Sequence, residues 1–80
     1  MLFKCVRENE TTYYIPSHIQ KITISPVYGR DDSYDVAFYV DHAMEIVKVF
    51  SDLDEAEHFV QKIYAKMIEK ESDEIFDLNA

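Results

Sequence analysis

Side chains that could bind a metal ion or transfer protons are numerous in this chain, but their spacing completes no site. Glu55-x-x-His58 places two types of metal ligand one helical turn apart, as in carboxylate-bridged di-metal bundles. Such bundles need a second motif and further glutamates on facing helices, and the sequence predicts one helix only. Asp52 and Asp54 lack the glycine and the twelfth-position glutamate of a calcium loop. We therefore predict that no metal is bound.

The sequence does not predict catalysis either. Asp41-His42 and Glu45 could form a carboxylate–imidazole pair, but no Ser or Cys is placed beside them to act as a nucleophile. A single glycine leaves little for a phosphate-binding or dinucleotide-binding loop. Cys5 lies in an apolar run, where a cysteine is expected to be a small buried hydrophobic side chain. The chain is thus predicted to be no enzyme and to need no cofactor.

Charge is the strongest signal, because 16 acidic residues stand against 8 basic ones, for a net charge of −8. The last thirty residues carry nine acids and three lysines, whereas the first fifty carry seven acids and five bases. Such a field repels nucleic acid and anionic membranes and attracts basic surfaces. The predicted partner is therefore a protein with a basic surface, and direct contact with nucleic acid or membrane is not expected.

The acids of the C-terminal region fall into two groups. Those from Asp52 to Glu57 open a predicted helix, where carboxylates complement the positive end of its dipole. Those after residue 68 oppose the dipole, so a binding role is the better explanation, with Phe76 and Leu78 as apolar anchors. Alternatively, the apolar residues fold back on the sheet or contact a second subunit. The predicted partner-binding residues are Glu69, Glu71, Asp73, Glu74, Phe76, Asp77 and Leu78, together with Asp54 and Glu55.

The elements that must position these residues are five strands and one helix. Alternation and turn residues predict strands at 2–7, 12–15, 19–25, 34–40 and 44–50. The fold class is α+β, with an antiparallel sheet of four to five strands and one C-terminal amphipathic helix across one face. Residues 1–72 are predicted to form a single domain, and residues 73–80 an acidic C-terminal tail.

The predicted helix begins at Ser51, which with Asp54 has the spacing of a capping box, and it ends near residues 70–72. Lys62, Lys66 and Lys70 line the side away from the sheet. At 100° per residue, the apolar face is formed by Leu53, Ala56, Val60, Ile63, Tyr64, Met67 and Ile68.

Size and composition bear on assembly and location. An 80-residue chain supplies a marginal core, so burial of further apolar surface in a homodimer is expected. The N-terminus lacks the pattern of a signal peptide, and no stretch is apolar enough to span a membrane. A cytoplasmic protein is predicted.

The run Glu10-Thr-Thr-Tyr-Tyr-Ile-Pro-Ser-His-Ile-Gln-Lys-Ile22 resembles a pattern of the small flagellar FlbD-type family and of short phage-encoded accessory proteins. The resemblance covers roughly residues 2–68 and implies a hairpin, further strands and a closing helix. The longer loop at 27–33 and the acidic tail depart from the flagellar type. No functional residue is carried over from the resemblance.

Two functions fit these observations. The first is a small non-enzymatic regulatory protein that acts through protein–protein interaction, such as an inhibitor that mimics the charge of nucleic acid against a basic partner. The second is a small-molecule-binding homodimer with a pocket between the helix and a tyrosine-rich sheet that carries Tyr13, Tyr14, Tyr34 and Tyr39.

Overall fold

The structure, a computed structural model, describes residues 1–69 and 73–80. It confirms an α+β fold but has two three-stranded sheets, ordered β2-β1-β6 and β3-β4-β5, instead of the predicted single sheet. The short 3₁₀ turn Pro16–His18 redirects the chain between the sheets. The elements are β1 (Leu2–Val6), β2 (Thr11–Tyr14), β3 (Lys21–Pro26), β4 (Tyr34–Val40), β5 (Ala43–Phe50), α1 (Leu53–Met67) and β6 (Ile75–Asp77).

The first sheet joins segments from both ends of the described chain. β1 pairs antiparallel with β2 and parallel with β6, so that Phe3 lies between Tyr14 and Phe76 on neighbouring strands. Alternation directs Phe3 and Cys5 of β1 to the inner face, where both are buried. The burial predicted for Cys5 is thus confirmed, and it raises the pKa of the thiol.

The second sheet is an antiparallel meander with a bulge in β5. Ala37 pairs with Ile46 and Val36 with Lys48, which leaves Val47 as an extra residue on the longer strand. The bulge turns both Val47 and Lys48 towards the inner face, where Val47 is 5% exposed. It therefore accounts for the apolar residues found on both faces of β5.

The first sheet and the helix both pack against the inner face of β3-β4-β5. Phe38 of β4 lies at the centre, with its ring centroid 6.2 Å from that of Phe3 and 5.2 Å from that of Tyr14. The helix contacts all three strands of the second sheet. The buried cluster consists of Phe3, Cys5, Tyr14, Val36, Phe38, Val47, Ala56, Ile63 and Leu78.

The helix starts one residue later than predicted and buries most of the predicted face, since Ala56 and Ile63 are fully buried and Val60 and Met67 pack against the core. Asp52, not Ser51, is the N-cap, and its carboxylate accepts a hydrogen bond of 2.9 Å from the Asp54 backbone N–H. Leu53, Tyr64 and Ile68, predicted to be buried, are 41%, 65% and 59% exposed. Among the described residues, no helix combines the length and apolar character needed to cross a membrane.

Two side chains outside the predicted apolar face pack inward and rotate the helix, namely Phe59, expected at the edge of that face, and Lys66, expected on the opposite side. The Phe59 ring packs on Phe50 of β5, with centroids 5.3 Å apart. Lys66, predicted on the outer side, is half-buried because it reaches Glu74 and the Phe76 ring. The predicted end of the helix at residues 70–72 lies outside the described residues, and α1 ends at Met67 with Ile68 as its C-cap.

A two-residue loop, Asp41-His42, joins β4 to β5. Both residues have left-handed backbone conformations, with φ of 52° and 67°, which define a type I′ turn between the paired Val40 and Ala43. Residues other than Gly, Asn and Asp occupy this region at a cost in free energy. The loop also holds Gln20, whose side-chain oxygen accepts a hydrogen bond from the His42 N–H at 3.2 Å.

We expect His42→Gly to stabilise the protein by about 1 kcal/mol, because glycine adopts a positive φ without the Cβ clash. Urea unfolding of the two chains measures the difference. Gly29→Ala is the matched opposite change, since Gly29 has φ of 82° in its own turn, and should lower stability. A less stable His42→Gly chain would mean that the loop does not have this turn conformation.

Candidate functional site

The segment predicted as a separate acidic tail forms part of the first sheet. Phe76 lies edge-on to Phe3, with centroids 6.0 Å apart, and Leu78 is fully buried. The Leu78 N–H donates to the Lys4 carbonyl at 2.8 Å, which continues the pairing of β6 with β1. The segment beyond the predicted boundary at residue 72 is thus paired with β1 through β6. Of the two alternatives left open by the sequence, folding back on the sheet is the one observed.

Polar contacts hold the end of this segment in place. The Asn79 side chain accepts a hydrogen bond from the Val6 N–H at 2.7 Å and donates to the Val6 carbonyl at 3.1 Å. The Lys48 ammonium donates to the carbonyls of Leu78 and Ala80 at 3.1 and 3.0 Å. Phe76 and Leu78 therefore stabilise the fold and are not the exposed anchors for a partner that the sequence suggested.

The acids near this segment are divided between internal contacts and solvent. The Lys66 ammonium lies 3.0 Å from a Glu74 carboxylate oxygen and 3.9 Å from one of Glu69. The hydrogen bond to Glu74 is the main reason that the pKa of Lys66 is raised. Asp73 and Asp77 are exposed, and Asp77 accepts a hydrogen bond from the Asn79 N–H at 2.9 Å. Glu71 lies outside the described residues.

The acids at the N-terminus of α1 are presented to solvent. Asp52, Asp54, Glu55 and Glu57 are all exposed. Asp52 caps the helix, and Asp54 and Glu55 lie in its first turn, as predicted. Within the described part of the chain, the ion pairs involve Arg7 and Lys66, and neither is formed with these four acids. Their charge is therefore directed outward.

An exposed apolar stripe, which was not predicted from the sequence, lies along the same helix. Leu53, Tyr64 and Ile68 recur at positions that share one side of a helix, with Glu57 between them. The sequence showed these side chains at helical spacing, but it did not show that Phe59 and Lys66 would take the buried side. The outer surface of α1 thus combines apolar side chains with carboxylates.

A second arrangement not found from the sequence links Arg7, Tyr14 and Glu45 where the two sheets meet. An Arg7 guanidinium nitrogen donates to the Tyr14 hydroxyl at 2.7 Å, and that hydroxyl donates to a Glu45 carboxylate oxygen at 2.6 Å. The same nitrogen donates to the Ile46 carbonyl at 3.0 Å. Glu45 is thus engaged by Tyr14 and Arg7, and the carboxylate–imidazole pair considered with His42 is not what the structure places there.

No group of three or more His, Cys, Asp or Glu side chains in residues 1–69 and 73–80 is arranged to hold a metal ion.

An open pocket of about 260 Å³ lies between β5 and the helix. The rings of Phe50 and Phe59 contribute to its wall, together with His58, Lys48 and Lys62.

The predicted tyrosine-rich face is divided between different surfaces. Tyr14 is buried between the sheets, whereas Tyr13, its neighbour on β2, is 49% exposed. On β4, Tyr34 packs against the core and Tyr39 lies on the opposite face, where the Lys21 ammonium is 4.4 Å from its ring centroid. A pocket lined by all four tyrosines is therefore not formed within one chain.

Comparison with protein-family models, with curated proteins and with solved structures finds no match to this chain. The resemblance to the flagellar FlbD type therefore stays a prediction, and the function must be argued from the surfaces described above.

The position of Leu78 predicts a large effect on stability. Leu78→Ala should lower the free energy of unfolding by about 2–5 kcal/mol, since it removes a fully buried side chain. Ile75→Ala in the preceding strand β6 is the control and should cost less, because Ile75 is 55% exposed. Urea unfolding separates the two. Similar small losses for both variants would show that β6 does not contribute to the core.

The buried hydroxyl of Tyr14 predicts a loss of stability in alkali. Burial, followed by the hydrogen bond to Glu45, raises the pKa of Tyr14 to about 12. Because the unfolded chain has a tyrosine pKa of about 10, this contribution is complete below that pH and is lost as pH rises towards 12. The urea midpoint of the wild type should fall more steeply across this range than that of Tyr14→Phe. Tyr13→Phe should follow the wild type, and identical profiles for all three chains would exclude the effect.

Proposed function

We propose that this protein is a non-enzymatic binding protein that engages a basic partner protein through the outer surface of α1. The observation that carries the proposal is the exposed stripe of Leu53, Tyr64 and Ile68 beside the outward-facing acids of the same helix. Apolar anchors supply contact area, and the carboxylates speed association with a positively charged surface. This keeps the acidic binding role predicted for Asp54 but moves the anchors from β6 to the helix, whereas Glu55 lies on the side of the helix that lines the pocket with Lys48 and Phe50.

Charge supports a more specific version of this proposal. The net charge of −8 and the exposed acids of the first helical turns favour a partner that ordinarily binds an anionic polymer. In that version the protein occupies a nucleic-acid-binding surface and acts as an inhibitor. We further propose that the protein acts in the cytoplasm and as a homodimer.

A second candidate function is supported by the pocket between β5 and α1. Phe50 and Phe59 give it apolar surface, and Lys62 lies among its lining residues. A small molecule bound there would fit the small-molecule-binding alternative, although the tyrosines do not line the site. Salt separates the candidates, because binding of an uncharged compound in the pocket should change little with ionic strength, whereas the acidic surface should lose affinity.

The test of the acidic surface uses two variants of equal charge. Asp54→Asn with Glu57→Gln neutralises two acids beside the apolar stripe, and Asp31→Asn with Asp32→Asn neutralises two exposed acids in the loop before β4. Immobilised chains are incubated with lysate at low salt, and a protein retained by the wild type is purified. Its association rate is then measured as a function of salt. We expect slower association with the helix variant than with the loop variant.

Tyr64→Ala provides an independent measurement on the same partner. It removes an apolar anchor without changing charge, so dissociation should be faster while the salt dependence is unchanged. Melting temperatures of all variants confirm that they are folded. Equal effects of the helix and loop variants would mean that net charge alone causes retention, and the proposed surface would then be wrong.

A further inference from the structure

The outer face of β3-β4-β5 is an ordered surface with no element of the described chain packed on it. The helix and the first sheet both lie on the opposite face, around Val36 and Phe38. The strand register places nine side chains on the outer face in three rows. They are Lys21, Tyr39 and Met44; Thr23, Ala37 and Ile46; and Ser25, Asp35 and Val49.

In an antiparallel sheet with one solvated face, the outer residues are usually polar. The outer face of β3-β4-β5 differs, because it also carries large apolar side chains. Met44, Ile46 and Val49 are 55%, 41% and 55% exposed, and all three come from β5. Ala37, at the centre of the grid, is only 2% exposed, because the larger side chains around it cover it. The two charged residues, Lys21 and Asp35, cancel in net charge, although the chain as a whole carries −8.

The positions of the two charges make the face complementary to itself. Lys21 lies in the first row and Asp35 in the third, with Ala37 between them. Two copies can be placed face to face, related by a twofold axis that lies between the sheets and crosses the strands at Ala37. This axis places the first row of one copy opposite the third row of the other. Asp35 then faces Tyr39 of the second copy, one strand spacing of about 4.8 Å from Lys21. The same operation brings Met44 against Val49 and Ile46 against its own copy.

We propose that this face is the interface of a homodimer, formed by two copies of the chain around that axis. The proposal names the interface of the homodimer in the proposed function, and it is independent of the acidic surface. The exposed surface of α1 lies on the far side of the sheet, so the dimer keeps the two acidic helices apart and outward.

A charge-swap experiment tests both the face and its symmetry. Lys21→Glu places a carboxylate against Asp35 of the other copy, and Asp35→Lys opposes two lysines, so each single variant should sediment as a monomer at concentrations where the wild type is a dimer. An equimolar mixture of the two variants should recover the dimer mass, because each contact then joins opposite charges. The double variant should recover it as well.

Ile46→Glu and Val6→Glu provide the matched pair for the apolar contact. Both residues are similarly exposed, at 41% and 45%, but Val6 lies on β1 of the other sheet. Ile46→Glu should sediment as a monomer and Val6→Glu as a dimer. A monomeric wild type, a dimer unaffected by Ile46→Glu, or a mixture that stays monomeric would each overturn the proposal. The capture experiment on α1 can succeed in every one of these cases.

Discussion

The contact of Phe38 with Phe3 and Tyr14 is the interaction on which the rest of the structure depends. It joins two small sheets, neither of which has a core of its own, and it fixes which faces point inward. Once those faces are set, the helix must cover the remainder of the inner surface through Ala56 and Ile63. The direction of every surface that could bind a partner follows from this arrangement.

Local patterns made part of this fold predictable. The strand at Tyr34–Val40 has the bounds given by its alternation, and the capping box of Ser51 and Asp54 predicted the start of the helix to within one residue. The α+β class followed from these elements. Each of these features depends on residues close together in the sequence, where alternation, capping and turn chemistry act.

The bulge in β5, the orientation of α1 and the pairing of β6 were not predicted, because they depend on contacts between residues far apart in the sequence. The extra residue Val47 in β5 is defined by the pairing of that strand with β4, and the buried side of α1 is defined in part by the contact of Phe59 with Phe50. β6 was interpreted as part of a tail because its three residues are too few to show alternation and they lie in an acidic segment. At the candidate site, the acids Asp54 and Glu55 were identified correctly as exposed, whereas Phe76 and Leu78 were misplaced because their pairing with β1 joins residues more than seventy positions apart.

The parallel pairing of β1 with β6 also bears on the order in which the molecule folds. Leu2 pairs with Ile75, so a loop that contains all the other elements must close before the first sheet is complete. The meander β3-β4-β5 needs only neighbouring strands and can form earlier. During synthesis, Phe3 and Cys5 would thus remain without their β6 neighbours until that strand leaves the ribosome. Until then the edge of β1 that later pairs with β6 is open. An open strand edge exposes the nascent chain to strand exchange with other copies.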